Sequence, residues 1–167
     1  MALLVKEGFG QLEPNHLSAQ RNGQIYAQLP CASSIEKLEN AQFVKYDYAE
    51  GEVNFTGEGE WMLVYNEVKL YDPRHSYKDF ALQKKNCVGG EMVPRVMKTM
   101  VGDIFTTNLV DNGSKGSALA VKDKLVVGAS TGILEYSAAP GAGMVWQVAK
   151  VYTMADGQPA VKIQRIA

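Results

Sequence analysis

The stretch MVWQVAKVYTMADGQPAVKIQRI, residues 144–166, decides the fold class. Val145, Ala149 and Val151 alternate with Met144, Trp146, Val148 and Tyr152, and Val161 and Ile163 stand two apart. That period is the spacing of a pleated strand, whose successive side chains point to opposite faces. Between the two runs, Ala155-Asp156-Gly157-Gln158 supplies the positive φ that a tight connection needs. Pro159 follows at a strand start, where a missing N–H is tolerated. The stretch therefore predicts a β-hairpin, and it offers no residue positioned for catalysis.

Outward from the hairpin the chain continues as short apolar runs punctuated by glycine. Arg95 to Val101 and Asp103 to Val110 predict two strands meeting at Gly102, and Leu119 to Val121, Leu125 to Val127 and Ile133 to Tyr136 predict shorter ones. Gln42 to Tyr48 and Glu52 to Phe55 predict a second hairpin through Ala49-Glu50-Gly51. Glu60 to Tyr71 reads as one strand with two partly apolar faces, Met62 and Val64 on one and Trp61, Leu63 and Tyr65 on the other. Such a strand is either central in a sandwich or covered on one face by another subunit.

Two capping-box patterns, Ser33-x-x-Glu36 with Ile35 and Leu38, and Ser76-x-x-Asp79, predict short helices. Residues 1–32 hold Gly8, Gly10, Gly23, Pro14 and Pro30 with no sustained period, and read as an extended N-terminal arm. Leu3, Leu4, Val5 and Phe9 are its apolar anchors, docking on the chain's own core or on a neighbouring chain. Residues 33–167 read as one mainly β domain, a barrel or sandwich of short antiparallel strands.

Composition narrows the function classes. A chain of 167 residues buries roughly 70% of its unfolded surface as one domain, so it needs no disulfide. Lys plus Arg total 17 against 18 for Asp plus Glu, with no basic cluster, which argues against a nucleic-acid grip. No apolar run approaches a signal-peptide core or a membrane span, so synthesis in the cytoplasm is expected. Cys31 and Cys87 are read as reduced thiols, with a single long-range bridge left open.

Catalytic and cofactor signatures do not assemble. His75 has Asp72 and Asp79 beside it, but no second His or paired Cys gives metal-ligand spacing, and it reads as a surface histidine. Gly113-Ser114-Lys115-Gly116-Ser117 lacks the spacing of a phosphate loop, and Ser130-Thr131-Gly132 is no nucleophile elbow. Glu50, Glu52, Glu58 and Glu60 are the remaining source of paired carboxylates and read as solvated sides of strands and turns. Asn54-Phe55-Thr56 and Asn112-Gly113-Ser114 read as turns. No catalytic residue, metal or cofactor is expected. Nine of the 15 aromatics fall between Phe43 and Phe80, a density that fits a core with a subunit contact, or a stacking platform for sugars.

The order of segments carries a resemblance. Residues 101–108 (VGDIFTTN), 123–128 (DKLVVG), 132–134 (GIL), 146–151 (WQVAKV) and 157–163 (GQPAVKI), with 43–48 (FVKYDY) and 59–67 (GEWMLVYNE) upstream, together resemble tailed-phage head decoration, or cement, proteins. The resemblance implies a structural virion protein on the outer capsid surface, a homo-oligomer whose partner is the major capsid protein and which does no chemistry. Leu3, Leu4, Val5, Phe9, Trp61 and Tyr65 are then the expected capsid or subunit contacts. A carbohydrate-binding or host-attachment module on the virion is the alternative.

Overall fold

The computed structural model describes residues 2–18, 28–66 and 80–167. The protein is mainly β, and its largest sheet curls into a half-barrel. Thirteen strands are present among the described residues: β1 (Leu12–His16), β2 (Lys37–Leu38), β3 (Phe43–Asp47), β4 (Glu52–Asn54), β5 (Glu58–Val64), β6 (Leu82–Gln83), β7 (Val96–Met97), β8 (Ile104–Thr107), β9 (Val110–Asp111), β10 (Lys124–Val127), β11 (Leu134–Tyr136), β12 (Val145–Thr153) and β13 (Pro159–Arg165). They form a seven-stranded sheet in the order β1-β8-β13-β12-β10-β11-β9, a four-stranded sheet β4-β3-β5-β7, and the pair β2-β6.

The hairpin expected over 144–166 is β12 and β13, antiparallel from Trp146↔Arg165 to Thr153↔Pro159, with a bulge between Val148 and Lys150. Its turn closes through the Gly157 N–H on Met154 O at 2.9 Å, with Gly157 at φ +83°. The second expected hairpin is β3 and β4, turned by Asp47, whose Oδ1 accepts the Ala49 and Glu50 N–H groups. The Asn54 side chain likewise accepts the Thr56 and Gly57 N–H groups, which is turn chemistry.

The seven-stranded sheet curls because one stretch serves both of its sides. Residues 104–111 form β8, next to one edge, and two residues later become β9, the opposite edge. The N-terminal segment follows this stretch in the opposite direction. Leu3 bridges Asp111, the Leu4 N–H bonds Val110 O at 3.1 Å, and β1 pairs with β8 from Leu12↔Thr107 to His16↔Ile104. Residues 3–4 and 12–16 of the expected arm thus lie on the chain's own sheet.

Two apolar clusters share the four-stranded sheet. Trp146 sits in the first, 4.9 Å from Phe105 in an edge-to-face contact and 5.9 Å from Phe43, with Leu63, Leu125 and Ile163 around it. The second holds Val44, Tyr46, Met62 and Val64 under Ile35, Leu38, Met92 and Val96. Successive residues of β5 therefore enter different cores: Leu63 faces the large sheet, and Met62 and Val64 face the layer built from 29–38 and 82–96. Over residues 61–64, the two apolar faces read from sequence are both packed against this chain.

Three expectations change. Residues 33–38 make a turn, with the Ile35 N–H on Ala32 O, and then β2 rather than a helix. One turn of helix carries the nucleation cost for few hydrogen bonds, whereas β6 satisfies the backbone of Lys37 and Leu38 directly. Among the described residues two 3-10 turns are present, Lys84–Asn86 and Val88–Gly90. Leu119 to Val121 is a turn rather than a strand: Asp123 Oδ2 accepts the Ala120 N–H at 2.7 Å and the Asp123 N–H returns to Ala120 O. The strand expected to begin at Glu60 is β5, ending at Val64. Tyr65 and Asn66 are outside the strand, and the rest of the expected continuation through Tyr71, the helix at Ser76-x-x-Asp79, and the group Asp72, His75 and Asp79 lie outside the described residues.

Candidate interaction surface

Of the expected contact residues, Leu3, Leu4, Val5 and Trp61 are half-buried against the first core. Phe9 is half-buried with Lys37 Nζ 5.2 Å from its ring centroid, and Trp61 carries Lys45 Nζ at 4.8 Å. Tyr65 is half-buried just past β5, its N–H on Arg95 O at 3.0 Å. The arm anchors therefore spend most of their apolar surface on the chain's own fold.

A polar lock fixes the arm where it crosses the turn of the closing hairpin. Gln158, 4% exposed, accepts the Lys6 and Glu7 N–H groups on Oε1 at 2.9 and 3.1 Å, and Asn108 Nδ2 approaches the same oxygen. Asn108 Oδ1 accepts the Gln11 N–H at 2.8 Å, and Asp156 Oδ2 accepts both Gln11 Nε2 and Gln158 Nε2. Farther along, the Gly10 N–H donates to the buried Glu39 carboxylate at 2.5 Å. These side chains satisfy backbone donors that leave the ladder between residues 5 and 11.

The exposed apolar side chains are elsewhere. Among them, Met100, Val101 and Ile166 are 56%, 66% and 37% exposed and lie on segments that run side by side at one end of the large sheet. The segments are joined by the ladder: the Gly102 N–H donates to Arg165 O and the Arg165 N–H to Asp103 O, both at 2.9 Å. Beneath the row, the Arg165 guanidinium reaches Glu60 at 2.6 Å, the Thr99 carbonyl, and Thr99 Oγ1, and so ties β13 to β5 of the other sheet. The buried Asp103 carboxylate holds the turn from inside, accepting the Met100 N–H and both the N–H and the hydroxyl of Ser18.

The titratable groups make local structural contacts. Lys115 pairs with Asp123 across the 115–123 loop. Burial raises the Asp123 pKa, but hydrogen bonds from Lys115 and the Ala120 N–H, with the lysine charge, hold it below the ordinary carboxylate value. Cys31 and Cys87 are free thiols, and burial first, then Cys87 and Glu52, push the Cys31 thiol up to about 12. Glu60 of the four acidic candidates is drawn to Arg165. Among the described residues no group of three metal-ligating side chains forms. Tyr48 is the one exposed aromatic among the described residues, stacked at 5.6 Å on a Tyr46 ring that is itself buried.

Sequence reading did not single out the row of Met100, Val101 and Ile166, because Val101 alternates like a strand residue and Ile166 ends the hairpin. Nor did it find Asn108 and Gln158, buried polar residues with no periodic signal. No protein-family model matches the chain, and no curated protein or solved structure shows significant similarity to it.

Proposed function

We propose that the chain is a structural protein that binds the outer surface of an assembled tailed-phage capsid and clamps adjacent copies of the major capsid protein. The observation that carries this reading is where the resembling stretches fall. Residues 101–108, 123–128, 132–134, 146–151 and 157–163 supply β8, β10, the start of β11, and most of β12 and β13 of the large sheet, and the upstream stretches 43–48 and 59–67 supply β3 and most of β5 of the four-stranded sheet. The likeness thus follows strands of the two sheets that enclose the first core rather than scattered turns.

In this reading the contact is the row of Met100, Val101 and Ile166, whose apolar area is exposed in the free chain and held by the Arg165 and Asp103 networks. A preformed patch loses little ordering entropy on docking. The chain works as a homo-oligomer, and its action is thermodynamic: a ligand of the assembled shell alone stabilises it by mass action, and many symmetric copies add avidity to modest contacts. Co-sedimentation with purified genome-free expanded capsids tests this. The wild-type chain is expected to pellet with the shells and Val101→Glu to stay in the supernatant. Equal pelleting of the two would remove this surface from the reading.

A further inference from the structure

Segments 31–38 and 82–92 are tied together at both ends. At one end β2 pairs with β6, and at the other the Cys31 N–H donates to Met92 O at 2.8 Å. Between these ties the Lys84 N–H bonds Glu36 O and Lys84 Nζ reaches Ser33 O, both at 3.1 Å. The loop of 3-10 turns is thereby held across residues 31–36, and Cys87 sits at its centre, between Asn86 and Val88. Both thiols are half-buried and lie against the same apolar cluster, which includes Ala32, Val53 and Met92. Proximity also registers electrostatically, since Cys87 is among the groups that raise the Cys31 pKa.

We propose that Cys31 and Cys87 are a latent disulfide, which a small-molecule disulfide closes to pin the loop of residues 84–90 onto the second core. The inference is independent of the capsid reading. The Cys87 sulfur, beside the fully exposed Val88, attacks one sulfur of oxidised glutathione and releases the first glutathione thiolate. Cys31 then attacks the Cys87 sulfur and expels the second. Two protein thiols are oxidised, one glutathione disulfide is reduced, and the two protein protons end on the two glutathione thiols. In a reducing cytoplasm the pair stays open, and in an oxidising medium it closes.

The second step needs the Cys31 thiolate, so closure accelerates about tenfold per pH unit across the mildly alkaline range. The test uses the full chain, folded, with oxidised glutathione followed by alkylation and peptide mass mapping. The expected product is a Cys31–Cys87 cross-linked peptide in a monomer lighter by two hydrogens, with a raised Tm that dithiothreitol reverses. The Cys31→Ser variant is expected to stop at a glutathione adduct on Cys87. A wild-type chain that accumulates the same stable adduct, keeps both thiols free, or cross-links only between molecules would overturn the proposal.

Discussion

Replacing Gly132 with alanine is expected to loosen the junction of the two main sheets. Gly132 lies in the loop between β10 and β11 at φ +65°, and its carbonyl accepts the Phe43 N–H of β3 at 2.7 Å. A Cβ there would stand 2.0 Å from Phe43 O and 2.8 Å from Phe55 Cε1. The first obstacle is backbone, which no rotamer change relieves. The left-handed conformation costs an L residue about 1 kcal/mol. Overpacking adds about 1–3 kcal/mol, and loss of the Phe43 hydrogen bond about 1 kcal/mol. The total is about 3–5 kcal/mol, or a fall in Tm of about 6–20 °C for a domain of this size. Gly51→Ala is the control, because Gly51 has nearly the same φ, +67°, with nothing within 4 Å of the added carbon. It is expected to cost about 1 kcal/mol, the conformational part alone. Thermal and urea melts of both variants give the comparison. Equal destabilisation would refute the claim that the two sheets are joined by backbone contact at this glycine.

Three further outcomes follow from side-chain positions. Gln158→Ala removes the acceptor of the Lys6 and Glu7 N–H groups, and is expected to cost about 2 kcal/mol and to speed proteolytic cutting within residues 5–9. A melt and a digestion time course unchanged from wild type would separate the arm from the hairpin turn. The raised Cys31 pKa means that the folded chain holds a proton that the unfolded chain loses. Stability therefore falls between about pH 9 and about pH 12, by up to about 1.4 kcal/mol per unit, and the Cys31→Ser variant is expected to lose that slope in urea titrations. The lowered Asp123 pKa has the opposite sense: its stabilisation is present above the ordinary carboxylate value and is lost as pH falls through the folded one. Asp123→Asn is expected to flatten part of the acid limb, most visibly at low salt because the pair is partly exposed.

How much of this was legible in the sequence depends on whether the signal is local. The hairpin of β12 and β13 was readable because alternation and an Asp-Gly turn both lie within one stretch. The double-faced β5 was readable for the same reason, although alternation alone left open whether Met62 and Val64 meet this chain or another. The sequence did not disclose that 29–38 and 82–96 supply the cover, since that layer contains only two- and three-residue elements whose partners are remote. The helix read at Ser33-x-x-Glu36 failed on the same ground: the capping pattern is local, and the competing partner at Leu82 is not.

The candidate surface was less legible than the fold. Sequence left open which surface Leu3, Leu4 and Val5 meet; Leu3 and Leu4 bond the backbone of Asp111 and Val110, and all three pack against the first core. Conversely, Met100 and Val101 follow a strand pattern and point outward because the chain turns at Gly102 to join Arg165. Exposure of an apolar residue is a property of where neighbouring segments end, which no spacing rule carries.

The proposed function is stabilisation of an assembled shell. Its most direct test is the melting of purified genome-free expanded capsids, followed by calorimetry, with and without the chain. Capsid Tm is expected to rise with added chain and to saturate at a fixed ratio of chain to capsid protein. A capsid Tm that does not move at any concentration, with no chain found on the shells, would contradict it.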